Sequence, residues 1–560
     1  MERAESGMGG GNAVAAHALG WLVAGNLVGV WLAVLLLRPD WGVIAGNMTY
    51  GRWVPVHLNV QLYGWCSLPL VGWLFSVFQA DASRAGKRYA NAAVWAWSAA
   101  LACGCVAWLR GETSGKIFLD WTGGALVSFV VALGLLWLAL AAVWVEMRNH
   151  WTLVKRGWTG LGLVALACVL PAMWHAASPA VYPPFDRTTG GPTGASLLGS
   201  TLGIVMVLLL VPMGLHRVNG TRRNGWLWWL WSAELVIFGV LEWRGGTHHD
   251  WWQIGGLALL GPWLWLVPYA WNGYDWPAST KGWRLWVYLW LGVLIVSGWI
   301  DYLPGVLDRI KFTNGLVAHG HLAMAGFVSA MGMVLLGCVS GAAARLRGGV
   351  KSWNVAVAGY VISMAVCGWC EGGGAAWMSE RPAWRIGLMH IRLVCGVVML
   401  AVSVMWWWQT LGGRGWKIMT MRISKQVIGW WNLAVGSMDA ATGILLVFVP
   451  GFTLRLMGLR APGAEGSAYL SWVGVFVAAV GCSYFLAAGV PRTPADFGKW
   501  QTVWKITALA RSLVGGFVIW KIVAGDMEIG WITVALTDWV VAAVQWFGLR
   551  RGWLDEGREP

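Results

Sequence analysis

The stretch GLVAHGHLAMAG, residues 315–326, places His319 and His321 two positions apart at the head of an apolar run. Imidazole is costly to bury in hydrocarbon, and ionisable side chains in such a run are functional by default. Positions i and i+2 of a helix point about 200° apart. The two rings therefore leave different sides of one segment, and the rest of the chain has to say what each one meets.

The surroundings fix the class of protein. The chain has 560 residues, 58% hydrophobic and only 12% charged, where a soluble domain carries about 25% charged residues. Its mean hydropathy is +0.59. Apolar runs of about twenty residues, separated by short basic or Gly-rich links, identify an all-α polytopic membrane protein. Sixteen spans are predicted, the first twelve starting near residues 14, 55, 90, 123, 157, 195, 226, 253, 283, 316, 352 and 385. Four more start near 428, 469, 501 and 527, beyond the basic connector GGRGWKIMTMRISKQ, residues 412–426. The expected organisation is a twelve-span domain, residues 1–412, and an appended four-helix membrane bundle within residues 413–560. All ten histidines lie in the first set, so the bundle carries some separate role.

The opening MERAESGMGG has no basic n-region and the first span is full length, which predicts no cleavable signal peptide. With a cytoplasmic N-terminus, the inside links include SRAGKRY, RNHWTLVKR, HRVNGTRRN, RLRGGVK and RGWKIMTMRISK. They hold more Lys and Arg than the alternate links, as the positive-inside rule requires, and an even span count returns the C-terminus to the same side. The net charge of +15 is thereby mainly topological, and no compact basic domain exists to hold a nucleic acid. The nine cysteines form no disulfide framework. CGWC, residues 367–370, has redox-motif spacing but sits in an apolar span and reads as packing. No CxxCH occurs, so the chain attaches no c-type haem itself. The 48 tryptophans read as structural, many of them near span ends where amphipathic rings favour the interface.

Five histidines form a pattern. His57, in GRWVPVHLNVQLYGW (51–65), opens the second span; His248 and His249, in LEWRGGTHHDWW (241–252), close the seventh; His319 and His321 open the tenth. In the predicted orientation all five lie toward the outer leaflet at similar depth, which predicts a haem or metal site. His319 and His321 cannot share one metal while both are helical, and they suit two flat cofactors, one on each side of the helix. His57 can supply the opposite axial ligand of one of them. His248 and His249 adjoin Gly245 and Gly246, where a helix can loosen, and both can then reach one small metal; neutral imidazole suits copper or iron. The other five read differently: His150 and His216 as solvated, His17 and His390 as lone core histidines, and His175 as a packing residue.

On these motifs the chain resembles subunit I of the haem-copper oxidase superfamily, in particular the branch of the cbb-type (C-family) cytochrome oxidases and bacterial nitric oxide reductases. The resemblance covers about residues 14–411. It implies a twelve-span subunit I-like core in a bacterial cytoplasmic membrane, with the haem sites toward the periplasm. It implies that His57 and His321 bind a low-spin b-type haem, that His319 is the proximal ligand of a high-spin haem, and that His248 and His249 hold copper or non-haem iron. Electrons from a haem-c or copper donor subunit, or from cytochrome c, would pass through the low-spin haem to a centre that reduces O2 or NO. Asp120, in RGETSGKIFLDW (110–121), is similar to an acid near the haem propionates of the C-family.

The chain also departs from that family. Members supply a third metal-ligand histidine from the sixth span, whereas TTGGPTGASLLGSTLGIVMVLLLVP (188–212) has none and places Pro192 near that position. C-family oxidases carry a tyrosine shortly before the histidine pair; here Glu242 takes its place. A carboxylate there can complete a metal site or relay protons, and it can equally pair with Arg244. The losses move weight toward nitric oxide reduction or a divergent activity. A haem-bearing electron-transfer, sensor or assembly protein without the second metal is the alternative, and a histidine-relay transporter, free of haem, is a third reading.

Overall fold

The computed structural model describes residues 10–44, 48–177, 197–218, 225–244, 250–346, 348–374, 380, 382–412, 425–456, 459–460, 463–487 and 494–554. Among them the chain is helical throughout and forms no strand, only an isolated bridge between Arg217 and Tyr274. In lipid every main-chain polar group must find an internal partner, and a helix of about twenty residues does this within one segment. Fourteen helices are long and apolar enough to cross a membrane, and two shorter apolar ones fall where the sixth and seventh spans are expected. The chain is thus a membrane-embedded helical protein.

The first unit, Met1–Arg414, holds twelve segments. They are α1 Gly10–Leu37, α2 Tyr50–Val77, α3 Arg84–Arg110, α4 Gly123–Met147, α5 Leu153–Ala177 and α6 Leu197–Leu210. Next come α7 Gly225–Arg244, α8 Trp251–Trp271, α9 Lys281–Asp301, α10 Asn314–Val339, α11 Val350–Glu371 and α12 Ala383–Gly412. The second unit, Gly415–Pro560, holds α13 Lys425–Phe448, α14 Ala464–Phe485, α15 Pro494–Ala524 and α16 Ile532–Arg551.

These helices are apolar all round. On α4, Phe129, Leu133, Leu136, Leu140 and Val143 are buried, while Val127, Val131, Leu138 and Val145 are exposed. That is the distribution of a helix with protein on one side and lipid on the other. Tryptophan does more than mark interfaces. Trp65, Trp108, Trp263, Trp271, Trp353 and Trp406 are fully buried. Their indole N–H groups donate across helices, for example Trp271 to Leu208 O (2.8 Å), Trp353 to Ala325 O (3.0 Å) and Trp263 to Glu234 Oε2 (2.7 Å). A large ring with one donor fills volume and satisfies an acceptor that lipid would leave bare.

Within the first unit, α2, α1, α12, α11 and α10 pack in that cyclic order, α10 returning to α2, and α9 lies against α10. This ring encloses the site.

Candidate functional site

The two ring helices that carry His57 and His319/His321, α2 and α10, are locally underwound into wide turns. In α2 the helix passes into π geometry over Val60–Cys66, just after His57; in α10 it does so over Leu322–Val328, directly after His321. Single π segments inside α-helices are uncommon and often mark functional positions. Each is closed by a serine whose hydroxyl donates five residues back, Ser67 to Leu62 O and Ser329 to Met324 O, both at 2.8 Å. Trp65 Nε1 donates to Ser329 Oγ at 2.8 Å and ties the two segments together.

His57 and His321 are brought opposite each other. Their ring centres are 6.2 Å apart and their planes are inclined by 21°. His57 Nδ1 is 2.9 Å from Gly25 O of α1, and His321 Nδ1 is 2.9 Å from Val317 O. A carbonyl can only accept, so each Nδ1 carries the hydrogen and each Nε2 keeps its lone pair, the state in which histidine ligates a metal. With metal–nitrogen bonds of about 2.0–2.1 Å, two imidazoles on opposite sides of one ion have centres about 6 Å apart. The observed spacing fits that arrangement. Glycine makes the approach possible: a Cβ at Gly29 would sit 2.9 Å from His57 Cε1, and one at Gly25 would sit 2.7 Å from Gln61 Nε2.

The rings border a cavity of about 570 Å³ lined mainly by apolar side chains, with Lys311 and Arg392 among its polar ones. This is the size of a site for a large organic cofactor. On the far side of His321 the Tyr360 ring stacks at 4.2 Å, and the Arg392 guanidinium lies 5.5 Å from the centre of that ring. Arg392 also donates to Asn314 Oδ1 at 3.1 Å. Asn314 starts α10, and its N–H donates to buried Glu371 Oε2 at 2.8 Å. Glu371 Oε1 accepts from Arg385 Nε at 2.7 Å. A carboxylate at a helix N-terminus is stabilising, and here it fixes the register of the helix that carries both histidines.

His319 goes elsewhere, as the two-residue spacing requires. It borders the same cavity, but its Nδ1 lies 3.2 Å from Asp301 Oδ2 at the end of α9, a close approach whose angle is not that of a hydrogen bond. A Cβ at Gly298 would meet His319 Cε1 at 3.3 Å. His319 therefore has an acidic neighbour on α9 rather than a histidine partner.

Asp120 lies in the loop between α3 and α4, buried, and Oδ2 accepts from Asn59 Nδ2 at 2.8 Å. Burial pushes its carboxyl above the ordinary range, and the hydrogen bonds from Asn59 and the Ser114 main chain only partly offset this. Its partner Asn59 is two residues from His57 along the same helix and therefore points to a different side of it.

His248 and His249 lie outside the described residues, as do Pro192 and the side chain of Glu242. The Arg244 guanidinium stands 4.1 Å from the Trp252 ring centre. Among the described residues no group of three metal-ligating side chains occurs. Of the other histidines, His17 Nδ1 meets Ser98 Oγ at 2.7 Å and the ring packs edge-on against Trp95, a half-buried histidine with its hydrogen bond satisfied. Cys367 is buried beside Glu371 and Cys370 is exposed, so CGWC brings no thiol pair to the site.

Arg392, Tyr360, Asn314, Glu371, Asp301, Gly25 and Gly29 were not singled out by sequence. Arg392 carried a usable signal, an arginine well inside an apolar span. The others are ordinary residues made functional by what the fold sets beside them. No known family model matches the sequence, and no curated protein matches it.

Proposed function

We propose that the first unit is a membrane oxidoreductase of the haem-copper oxidase type. In this reading His57 and His321 hold a low-spin b-type haem between them, and His319 holds a second, high-spin haem on the other side of α10. The pair His248 and His249, with Glu242, then provides a copper or non-haem iron site facing the second haem, where O2 or NO is reduced. The observation that carries the reading is the opposed pair of imidazoles, each with Nδ1 committed to a carbonyl and Nε2 free.

The haems would supply the redox chemistry, as cofactors do; the chain supplies ligation, orientation and charge. Gly25 O and Val317 O fix the ligating tautomers. Arg392 and Lys311 place positive charge on the cavity wall, where an acidic cofactor substituent is neutralised. Asp301 places a carboxylate 3.2 Å from His319 Nδ1, on the ring edge away from Nε2. The termini would be cytoplasmic and the haem sites periplasmic, with a haem-c or copper subunit, or cytochrome c, as electron donor.

Purified protein tests this directly. Expected are two b-type haems per chain and one copper or one additional iron, with rapid reoxidation of the reduced haems by a pulse of O2 or NO. Two haems without the second metal, and no reoxidation, would instead mark an electron-transfer, sensor or assembly protein. A chain without haem absorption would exclude both.

A further inference from the structure

The four-helix unit at the C-terminus has no histidine, yet it buries charge. Arg511, near the middle of α15, pairs through Nη2 with Asp439 of α13 and through Nη1 with Asp538 of α16. The three side chains are 5%, 11% and 15% exposed. With all three ionised, one arginine and two aspartates leave a net charge of −1 inside a membrane-spanning bundle. From α14 comes Tyr484, fully buried, whose hydroxyl accepts from Arg511 Nε (3.3 Å) and Gln545 Nε2 (2.8 Å).

Gln545 of α16 joins this network through the same hydroxyl. Its Nε2 also donates to Thr507 Oγ1 at 2.9 Å, and the Thr507 hydroxyl is itself spent on Val503 O at 2.7 Å. The Thr507 oxygen must therefore accept, which fixes the amide with its nitrogen toward Thr507. That leaves Gln545 Oε1 fully buried and without a donor. The surplus negative charge of the buried Arg511–Asp439–Asp538 cluster calls for a proton, and the unpartnered Gln545 oxygen lies in the same network. An unpaired charge in this setting neutralises rather than remains. The other charged side chains of the unit with ion-pair partners find them elsewhere: Lys499 with Asp496, Lys521 with Asp526, Arg460 with Glu528.

We propose that the C-terminal bundle contains a proton-binding site within the membrane, in which Asp439 and Asp538 share one proton beside Arg511. One proton taken from water converts one carboxylate to a carboxyl and brings the cluster to neutrality; its release restores the charge. A metal cation is disfavoured because it would compete with the guanidinium for the same carboxylate oxygens, whereas a proton adds no volume. The site would let this unit load and release a proton independently of the histidine-bearing unit.

The test is infrared difference spectroscopy of the full-length protein in lipid nanodiscs across a pH range, reading the carboxyl C=O stretch that shifts in D2O. Subtracting the variants from wild type removes the signal of other buried acids such as Glu234 and Glu371. Wild type should show one protonated carboxyl per chain assignable to the pair, lost at high pH. D439N and D538N should each abolish it, because one aspartate and one arginine already balance. R511Q should double it, and H57A should leave it unchanged. The same band in both single asparagine variants, or no difference between them and wild type at any pH, overturns the proposal even if R511Q does not fold. Loss of the band when choline is replaced by sodium also overturns it, and assigns the oxygens to a metal cation.

Discussion

His57 and His321 come from segments 264 positions apart (321 − 57) and stand with ring centres 6.2 Å apart, each anchored through Nδ1 to a carbonyl, on Gly25 and Val317 respectively. If that gap holds one iron, removal of either ring must abolish its six-coordinate state. H57A and H321A should each lose the low-spin haem spectrum while keeping the haem bound by His319, and H319A should do the reverse. Equal loss of both haems in all three variants, with the fold intact by circular dichroism, would show that the histidines do not serve separate cofactors.

The same gap depends on a residue without a side chain. A methyl at Gly29 would lie 2.9 Å from His57 Cε1, so G29A must push the imidazole or separate α1 from α2. Overpacking of this kind typically costs about 1–3 kcal/mol. If the proposed low-spin haem is held by His57 and His321, G29A should shift its reduction potential and lower its occupancy. G134A on α4, whose added methyl meets nothing within 4 Å, should change neither. Identical redox titrations for G29A and wild type would show that His57 does not need the close approach of α1.

The parts of this arrangement that could be read in advance are those written in local spacing. Fourteen of the sixteen predicted runs coincide with helices long enough to cross a membrane, because twenty apolar residues leave the backbone no other solution in lipid. The runs near 195 and 226 coincide with shorter apolar helices. The divergence of His319 and His321 follows from helical geometry alone. Tyr360 and Asp301 escaped because nothing within their own segments distinguishes them, whereas Arg392 carried a signal as an arginine inside an apolar span. Only the cyclic packing of α2, α1, α12, α11 and α10 brings Arg392 and Tyr360 to His321. The tryptophans read from sequence as structural, and the structure adds that many of them donate N–H groups to carbonyls and acids on neighbouring helices. Periodicity cannot reveal this, since a buried and a lipid-facing tryptophan are equally apolar in the sequence.

Asp120 gives a pH dependence with a definite sign. Burial raises its carboxyl pKa in the folded protein above the unfolded value. Between those two values the folded chain holds a proton that the unfolded chain has released, so this group makes stability fall as pH rises through the window. Asparagine cannot ionise. The melting temperature of D120N, relative to wild type, should therefore climb as pH is raised from about 4 toward neutrality. Parallel curves across that range would mean that the carboxyl is not desolvated in the folded state.

Ser329 serves two partners at once, donating to Met324 O and accepting from Trp65 Nε1. In S329A the Trp65 N–H, in a fully buried ring, is left without its acceptor. Hydrogen bonds between membrane helices are worth about 0.6 kcal/mol on average and up to about 1.7, and losing both should bring the cost to the upper part of that range. S128A, which removes only a bond to Ala125 O three residues back, should stay within about 0.5 kcal/mol of wild type. Reversible denaturation in mixed micelles measures both, and equal stabilities would remove the link between the two π segments as a stabilising element.

The C-terminal bundle offers a test of how its helices recognise one another. Gly436 and Gly443 on α13 face Gly481 and Gly474 on α14, and glycines seven residues apart on both helices keep one seam in register. A Cβ at Gly481 would meet Gly436 O at 2.8 Å, and one at Gly474 would meet Gly443 O at 2.8 Å. The obstacle in each case is main chain, which cannot rotate away, so the helices must separate. Lipid gives helices little apolar reason to associate, and such close contact is the main source of their attraction. G481A and G474A should destabilise this unit by about 1–3 kcal/mol each, and their effects should not add, because one separation relieves both clashes. G498A, whose added methyl meets nothing within 4 Å, should be silent. Separating α13 from α14 also moves Asp439 away from Tyr484, so G481A should disturb the carboxyl band assigned to the buried pair while the haem spectrum stays unchanged. A wild-type carboxyl band in a demonstrably destabilised G481A would show that the proton site does not depend on the glycine seam.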